Sequence, residues 1–377
     1  MSAPVTPAAG VPDLHALLVH AVEQGASDLH LKVPARPVMR INGALTPVPG
    51  FTALRGEDTE RFARELLRGH DAKREEFDDA GETDLSHARE NLGRFRVNIF
   101  RQRGSVSIVL RVVPFRVRSI DDLELPAVVG RLAAEERGII LVTGTTGSGK
   151  STTLAAMIDC INRTSHKHVV TIEDPIEMLH VDRASLVNQR EVGLDTESFS
   201  TALRRVLRQD PDVIMIGEIR DLVTMETALS AAETGHLVLS TMHTLDATET
   251  VNRAIGFFPL HQQQQVRAML AGTLRGVISQ RLVRTADGAG RVPACEVLVT
   301  TGRAKDMILN HEETGRLHEV IREGDYYGMQ TFDQSLFAHV TSGRVSLAAA
   351  MEVASSPHDF KLMLDAGAAR REAAQYS

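Results

Sequence analysis

The sequence predicts an α/β protein in which a parallel sheet with helices on both faces follows a smaller α/β domain. In the larger part of the chain, short apolar runs bounded by Gly, Asp or Pro alternate with helical segments, as in a parallel sheet buried on both faces. These runs are Ile139–Thr143, His168–Ile172, Val213–Ile216 and Leu237–Thr241. At 377 residues the chain also exceeds the usual ~100–200 residues of one domain, which favours two.

The composition is that of an ordinary folded protein and excludes several classes. No apolar run approaches the ~20 residues that span a bilayer, and Met1–Pro12 lacks the basic and apolar segments of a signal peptide. We therefore expect a cytoplasmic protein without membrane insertion. The net charge of −7 disfavours nucleic acid as a partner. The two cysteines, Cys160 and Cys295, exclude a disulfide framework and a tetra-cysteine zinc site.

The first domain reads as a mixed sheet with helices. Leu14, Leu17, Leu18 and Val22 have helical spacing, and a second helix is expected around Glu57–Leu67. Strands are expected at Asp28–Leu31, Val38–Ile41, Leu45–Val48, Phe95–Phe100 and Val106–Val113. Asn42-Gly43 is a strong hairpin signal between the second and third of these strands.

Changes in composition divide the chain into five segments. They are a flexible N-terminal tail (1–11), a small α/β domain (12–114), a linker (115–124), the domain with the parallel sheet (125–357) and a C-terminal tail (358–377). Phe199, Leu203, Val206 and Leu207 predict one helix of the second domain. A helical region is expected from about Leu260 to Val283, and mostly helix from there to Met363.

A phosphate-binding loop follows the first apolar run of the second domain. Gly144-Thr145-Thr146-Gly147-Ser148-Gly149-Lys150-Ser151 fits G-x-x-x-x-G-K-[ST] without a mismatch, Thr152 follows, and a helical pattern comes next. The glycines let backbone N–H groups surround a phosphate, and the helix N-terminus adds further donors. Lys150 is expected to contact the β- and γ-phosphates and the Ser151 hydroxyl to ligate Mg²⁺.

Acidic residues and histidines end the other apolar runs, where doubly wound sheets bind ligands. Glu218 follows Val213–Ile216 and Gly217, and it is expected to be the general base or a ligand of the metal. Its alternative role is a charge at the N-terminus of a helix over Ile219–Ala232. Glu173 begins a second acidic cluster, in which Asp174-Pro175 also reads as a simple turn. His243 either senses the γ-phosphate or is structural.

The four motifs together resemble those of the ATPases of type II secretion and type IV pili. GTTGSGKST, TIEDPIE, DPDVIMIGEIRD and TGHLVLSTMHT are similar to that family's Walker A, aspartate box, atypical Walker B and histidine box. ASDLHL, RINGAL and RFRVNIFRQR resemble its PAS-like first domain, so that the likeness covers about residues 12–340.

The resemblance implies a RecA-like domain that hydrolyses ATP with Mg²⁺, nucleotide held between the two domains, and a homo-hexamer. It also implies a location at the inner face of the cytoplasmic membrane, with a platform protein of the pilus as partner. Arg96 and Arg111 match positions that approach the γ-phosphate as arginine fingers do. By the same resemblance Glu173 is a second catalytic carboxylate, and His236 and His243 are sensors.

Within the family the chain resembles the retraction-type ATPases most, with one departure. Where those enzymes carry a motif close to AIRNLIRE, this chain reads RAKDMILN at positions 303–310. Alternatives therefore stay open: an extension or secretion ATPase, an accessory paralogue of the retraction enzyme, or a non-catalytic subunit of a motor ring. A nucleic-acid motor with a similar sheet is disfavoured by the acidic charge and the absence of Trp.

Overall fold

The computed structural model describes residues 13–41, 43–89, 92–113 and 117–375, and the chain forms two compact units, Met1–Phe115 and Arg116–Ser377. The segment predicted to be a flexible tail (1–11), Asn42 of the hairpin, and residues 115 and 116 of the linker lie outside the described residues. Each unit is described by itself.

In its described residues, the first unit is a six-stranded sheet with three helices. Its elements are α1 (Leu14–Glu23), β1 (Asp28–Leu31), β2 (Val38–Ile41), β3 (Ala44–Pro47), α2 (Gly56–Leu66), α3 (Asp71–Ala80), β4 (Glu82–Arg89), β5 (Gly93–Gln102) and β6 (Ser105–Val113). The strand order is β3-β2-β1-β6-β5-β4, and every pairing among the described strands is antiparallel. The predicted mixed sheet is therefore wrong, because the helices between β3 and β4 do not join parallel neighbours. The α3 helix and β4 were not predicted.

One face of this sheet is apolar and packs against the helices. Leu14, Leu17 and Leu18 of α1 are fully buried with Phe95 and Val97 of β5. Because successive side chains of a strand alternate between faces, the arginines at the intervening positions of β5 project from the opposite face.

The second unit, as far as the structure describes it, is built around a seven-stranded sheet. Its strands are β7 (Gly138–Thr143), β8 (His168–Glu173), β9 (Leu186–Glu191), β10 (Val213–Ile216), β11 (Leu237–Met242), β12 (Leu274–Arg284) and β13 (Arg291–Val299). Its helices are α4 (Val128–Ala133), α5 (Lys150–Thr164), α6 (Phe199–Val206), α7 (Leu222–Glu233), α8 (Ala247–Gly256), α9 (Gln263–Thr273), α10 (Gly302–Leu309), α11 (Leu317–Glu323), α12 (Phe332–Thr341), α13 (Leu347–Val353) and α14 (Pro357–Gln375).

The strand order is β13-β12-β7-β11-β10-β8-β9, with all neighbours parallel except β12 and β13. Helices cover both faces: Ile139 and Leu141 of β7 join the core that includes α7, α8 and α9. Ile140 and Val142 of the same strand join the core that includes α4 and α5. This confirms the predicted fold class, a RecA-like parallel sheet with helices on both faces.

Two strands replace helix in the prediction for the C-terminal part. Residues 274–283 were expected to be helical but form most of β12, which lies parallel to β7, and β13 was not predicted. A short apolar run such as Val277-Ile278 fits a buried strand and a buried helix equally well, so periodicity alone does not separate them. The rest of this part is helical, and α12 to α14 pack on the β12–β13 hairpin around Leu336 and Phe360.

The segment expected to be a C-terminal tail (358–377) lies in α14 as far as Gln375. Among the described residues, no helix combines the length and the apolar character needed to cross a membrane.

Candidate nucleotide-binding site

The phosphate-binding loop connects β7 to α5, at the carboxyl edge of the sheet. Gly144 has φ +136°, and a Cβ there would lie 2.5 Å from the carbonyl oxygen of Gln280 on β12, so this position requires glycine. Gly149 is the residue before α5 and has φ +95°. The loop therefore ends at the start of a 15-residue helix, whose first N–H groups and dipole favour an anion.

Lys150 is buried at the first position of α5. Its Nζ donates hydrogen bonds to the carbonyl oxygens of Gly144 (2.9 Å) and Thr145 (3.0 Å). Burial lowers the pKa of Lys150, and the carboxylate of Glu218 acts in the opposite direction. The ammonium group is thus held inside its own loop, next to the position where a phosphate is expected.

Glu218 follows the carboxyl end of β10. One carboxylate oxygen forms an ion pair with Arg220, and the other lies 3.2 Å from Nε2 of His243. The loop that carries Glu218 is fixed by β11, because Thr241 donates to the carbonyl oxygen of Gly217 (2.7 Å) and accepts at its own carbonyl from Ile219 N–H (3.0 Å). The structure therefore brings Glu218 and His243 together, as their positions at strand ends suggested.

The alternative role for Glu218, a charge in the first turn of a helix, does not fit the structure. The helix α7 begins at Leu222, and Asp221 caps it by accepting a hydrogen bond from Thr224 N–H (2.8 Å). Glu218 lies outside that helix and faces the cleft.

Glu173 ends β8 and is almost fully buried. Its Oε1 accepts hydrogen bonds from Thr171 Oγ1 (2.8 Å) and Gln189 Nε2 (3.0 Å), and its Oε2 accepts from Glu177 N–H (3.3 Å). Burial raises the pKa of Glu173, partly offset by these hydrogen bonds. The Asp174-Pro175 turn follows directly, so the predicted turn and the predicted carboxylate site occur together.

A cleft of about 560 Å³ joins these groups within the second unit. It is lined by Thr146, Gly147, Gly149, Lys150, Ser151, Thr152, Glu173, Asp174, Glu177, His180, Glu218, Arg220, His243 and Arg291, among others. A second cleft of about 420 Å³ shares Gly149, Thr152, Leu282 and Arg291 with the first and is also lined by Ser148.

His236, the other predicted sensor, lies at the opposite end of β11 from His243. It precedes the strand, and its Nδ1 lies 3.0 Å from the carbonyl oxygen of Ala231 in α7. Within the second unit His236 therefore does not line the cleft at the carboxyl edge of the sheet, and its role as a sensor stays a prediction.

The residues present fit a Mg²⁺ ion that is bound together with a phosphate ligand. Among the described residues no cluster of three or more His, Cys, Asp or Glu side chains forms a protein cage for a metal. Mg²⁺ instead commonly takes one or two protein oxygens plus substrate phosphates and water. Ser151 and Glu218 offer a hydroxyl and a carboxylate in the same cleft; as its ligands they remain predictions.

Arg96 and Arg111 belong to the first unit and face each other across β5 and β6 in register. Arg111 Nε donates to Oδ1 of buried Asp28 on β1 at 2.9 Å. Burial raises the pKa of Asp28, but the hydrogen bonds from Arg111 and Ser27 outweigh it, so that the net pKa is lowered. The two arginines thus lie side by side on neighbouring strands, on the sheet face opposite the apolar core, and their role as arginine fingers stays a prediction.

Two arginines that line the cleft have no predicted role. Arg220 lies two residues beyond Glu218, and its position inside the GEIRD segment was the available signal. Arg291 begins β13, in a stretch that the sequence indicated as mostly helical, so nothing pointed to the site. Arg291 is paired with Arg284 at the end of β12. Predicting β12 and β13 as a strand pair would therefore have placed Arg291 at the carboxyl edge of the sheet, beside the loop.

A RecA-like sheet with an intact phosphate-binding loop, an acid after β10 and a histidine after β11 defines the class of P-loop nucleotide-binding proteins. Comparison with known proteins narrows this class. The family model described as "Type II/IV secretion system protein" matches residues 7–352. The chain belongs to this family.

Individual relatives cover nearly the whole chain. The "Type IV pilus retractation ATPase PilT" of Pseudomonas aeruginosa is 41% identical over 92% of this chain and 100% of its own length. The "Type IV pilus ATPase PilU" of the same organism is 41% identical over 93% of this chain and 91% of its own. A crystal structure of the pilus retraction motor PilT with bound ADP superposes with a TM-score of 0.84 at 43% identity, covering 92% of this chain and 98% of that one.

Proposed function

We propose that this chain hydrolyses ATP to ADP and phosphate with Mg²⁺ and uses the energy as a subunit of a type IV pilus retraction motor. The observation that carries the proposal is the position of Glu218: it lies in one cleft with Lys150 and Ser151 of the phosphate-binding loop, and His243 contacts it. A carboxylate facing the end of the phosphate chain is what ATP hydrolysis requires.

In this proposal the residues of the cleft divide phosphate binding, metal binding and activation of water among them. The loop from Gly144 to Thr152 binds the phosphates through its backbone N–H groups, and Lys150 exchanges its two carbonyl partners for phosphate oxygens. Ser151 and Glu218 would hold Mg²⁺, which would neutralise charge at the phosphates when bound. Glu218 orients the attacking water and accepts its proton, and Glu173 is the second carboxylate of the site.

The contacts of Glu218 give the site a way to change state. Both carboxylate oxygens are paired, one with Arg220 and one with His243, and both partner side chains are largely exposed. Glu218 must give up at least one partner before it binds water. Nucleotide in the cleft offers Arg220 and His243 phosphate oxygens instead, and this exchange would link occupancy to release of the base.

We further propose a homo-hexamer in which Arg96 and Arg111 of a neighbouring subunit approach the γ-phosphate. Two arginines in register on neighbouring strands place two guanidinium groups side by side, which suits a triphosphate. Arg111 would exchange its contact with Asp28 for the phosphate. The motor would act on a platform protein of the inner membrane, from the cytoplasmic face.

The relatives support the retraction role and also one alternative. PilT, the retraction motor, and PilU match this chain at the same identity. The departure from the retraction motif at positions 303–310 leaves room for the second candidate, an accessory ATPase of the retraction machinery. Both candidates share the ATPase site and differ in whether the protein works alone.

The retraction role and the accessory role can be distinguished in a bacterium with type IV pili that lacks its own retraction ATPase. The proposal predicts that the wild-type chain restores twitching and lowers the number of surface pili, and that Lys150→Ala does neither. Rescue only when another retraction ATPase is present would identify an accessory protein. Restored piliation in a strain without its extension ATPase would contradict the retraction role.

A further inference from the structure

The side chain of Gln189 connects β9 to the catalytic edge of the sheet. Gln189 is paired in register with Thr171 of β8. Its Nε2 donates to Oε1 of Glu173 (3.0 Å) and to the carbonyl oxygen of Met178 (2.8 Å), and its Oε1 accepts from His180 N–H (2.8 Å). One amide therefore contacts both Glu173 and the loop at positions 174–180 that follows it.

These three contacts specify an amide and fix its orientation. A primary amide has two N–H donors and one carbonyl acceptor. Here both donors point at acceptor-only oxygens, a carboxylate and a carbonyl, while the acceptor receives a backbone N–H. The flipped amide would place oxygen against oxygen at Glu173 and Met178. A carboxylate at position 189 would do the same and add a charge.

The neighbouring residue two positions along β9 supports the same loop. Glu191 is paired in register with Glu173, and its Oε2 accepts from Ile176 N–H (2.9 Å). Alternate side chains of one strand point to the same face. Gln189 and Glu191 thus form a polar wall along which the loop is fixed at three backbone positions.

We infer that Gln189 is a positioning residue of the ATPase site, which holds the carboxylate of Glu173 and the loop at positions 174–180 in the arrangement used for hydrolysis. The inference rests on the proposed function. It assigns Gln189 no contact with nucleotide: the side chain acts through Glu173.

The contact has a consequence for the ionisation of Glu173. Burial raises the pKa of Glu173, and the hydrogen bonds from Thr171, Gln189 and Glu177 N–H lower it. The charged and titratable groups that share its cleft or its supporting wall are Lys150 of α5, Asp174, Glu177 and His180 of the loop, Glu191 of β9, Glu218 and Arg220 after β10, His243 after β11, and Arg291 of β13. Losing the Gln189 donor destabilises the anion more than the neutral acid, so the pKa of Glu173 rises further.

The test is the pH profile of steady-state ATP hydrolysis by the full-length chain with Mg²⁺. If hydrolysis requires Glu173 as an anion, Gln189→Glu and Gln189→Met move the acid limb of kcat to higher pH. Because each variant loses a hydrogen bond to a charged group, the acid limb should shift by about one pH unit. Binding of a fluorescent ADP analogue should change less than about threefold, since Gln189 does not line the phosphate-binding loop.

Asn188→Asp is the matched control. It makes the same amide-to-carboxylate change on the adjacent residue, whose side chain is exposed and points to the other face of β9 near His168. The inference requires that this variant keep the wild-type acid limb. Equal shifts in Asn188→Asp and Gln189→Glu would mean that added charge alone moves the limb, and would overturn it.

A second variant tests the same inference if the Gln189 variants fail to fold. Thr171→Val keeps the shape of a fully buried side chain and removes the other donor to Oε1 of Glu173, and the same alkaline shift is expected. An unchanged acid limb and kcat in folded Gln189→Met would overturn the inference. Absence of hydrolysis by the wild-type chain would instead contradict the proposed function.

Discussion

Glu218 is held in position because the preceding residue, Gly217, is hydrogen-bonded to both neighbouring strands. Gly217 N–H donates to the carbonyl oxygen of Ile172 (2.8 Å), and Thr241 binds the carbonyl oxygen of Gly217. The segment after β10 is therefore tied to β8 on one side and to β11 on the other. His243 reaches Glu218 because it leaves the adjacent strand at the same edge.

Glu218→Gln should reduce kcat for ATP hydrolysis by about 10²–10⁴-fold, because the amide does not accept the proton of water. Nucleotide affinity in the absence of Mg²⁺ should be nearly unchanged, since Lys150 and the loop remain. Phosphate release and binding of a fluorescent ADP analogue measure the two effects. Glu226→Gln on the exposed face of α7 is the matched control, and full activity of Glu218→Gln would exclude it as the base.

Sequence alone predicted which residues meet at this edge but not how they are held. The phosphate-binding loop, Glu173, Glu218 and His243 each follow an apolar run, and the carboxyl ends of parallel strands share one edge of a sheet. Gln189 was not predicted, because its role depends on the path of the loop after β8. That path is set by contacts between residues distant in sequence, which no local pattern reports.

At the scale of elements, β12 and β13 were the largest difference between expectation and structure. The strand β12 extends the sheet beyond β7, where its Gln280 carbonyl contacts Gly144 of the loop. Glu296 of β13 is buried, and its Oε1 accepts from the N–H of Ala247, the first residue of α8 (2.9 Å). This hairpin therefore supports both the phosphate-binding loop and the helix that follows the His243 loop.

Glu296 should make folding stability depend on pH. Burial raises the pKa of Glu296 from 4.5 to about 7. Below pH 4.5 both states are protonated; between 4.5 and 7 the unfolded chain releases the proton first, so stability falls as pH rises, and above 7 the loss is complete. Glu296→Gln keeps the acceptor for Ala247 N–H without titrating.

Relative to this variant, wild type should lose about 3 kcal/mol of unfolding free energy between pH 4.5 and 8. Urea unfolding across that range measures the difference, with exposed Glu352→Gln as the control. Parallel pH profiles for wild type and Glu296→Gln would show that Glu296 titrates alike in both states and would contradict the expectation.

At the scale of the whole molecule, the two units carry different parts of the proposed site. The second unit holds the phosphate-binding loop, both glutamates and His243, and the first holds Arg96 and Arg111 on neighbouring strands. If the arginines come from a neighbouring subunit, a single chain lacks part of its own catalytic site. Assembly is then a condition for hydrolysis and not only for force.

The most direct measurement is the rate of Mg·ATP hydrolysis per subunit as a function of protein concentration, with the mass of the particles determined on the same samples. We predict a rate per subunit that rises with the hexameric fraction and then saturates. A full rate in samples shown to be monomeric, or no hydrolysis at any concentration, would contradict a shared ATPase site in a motor ring.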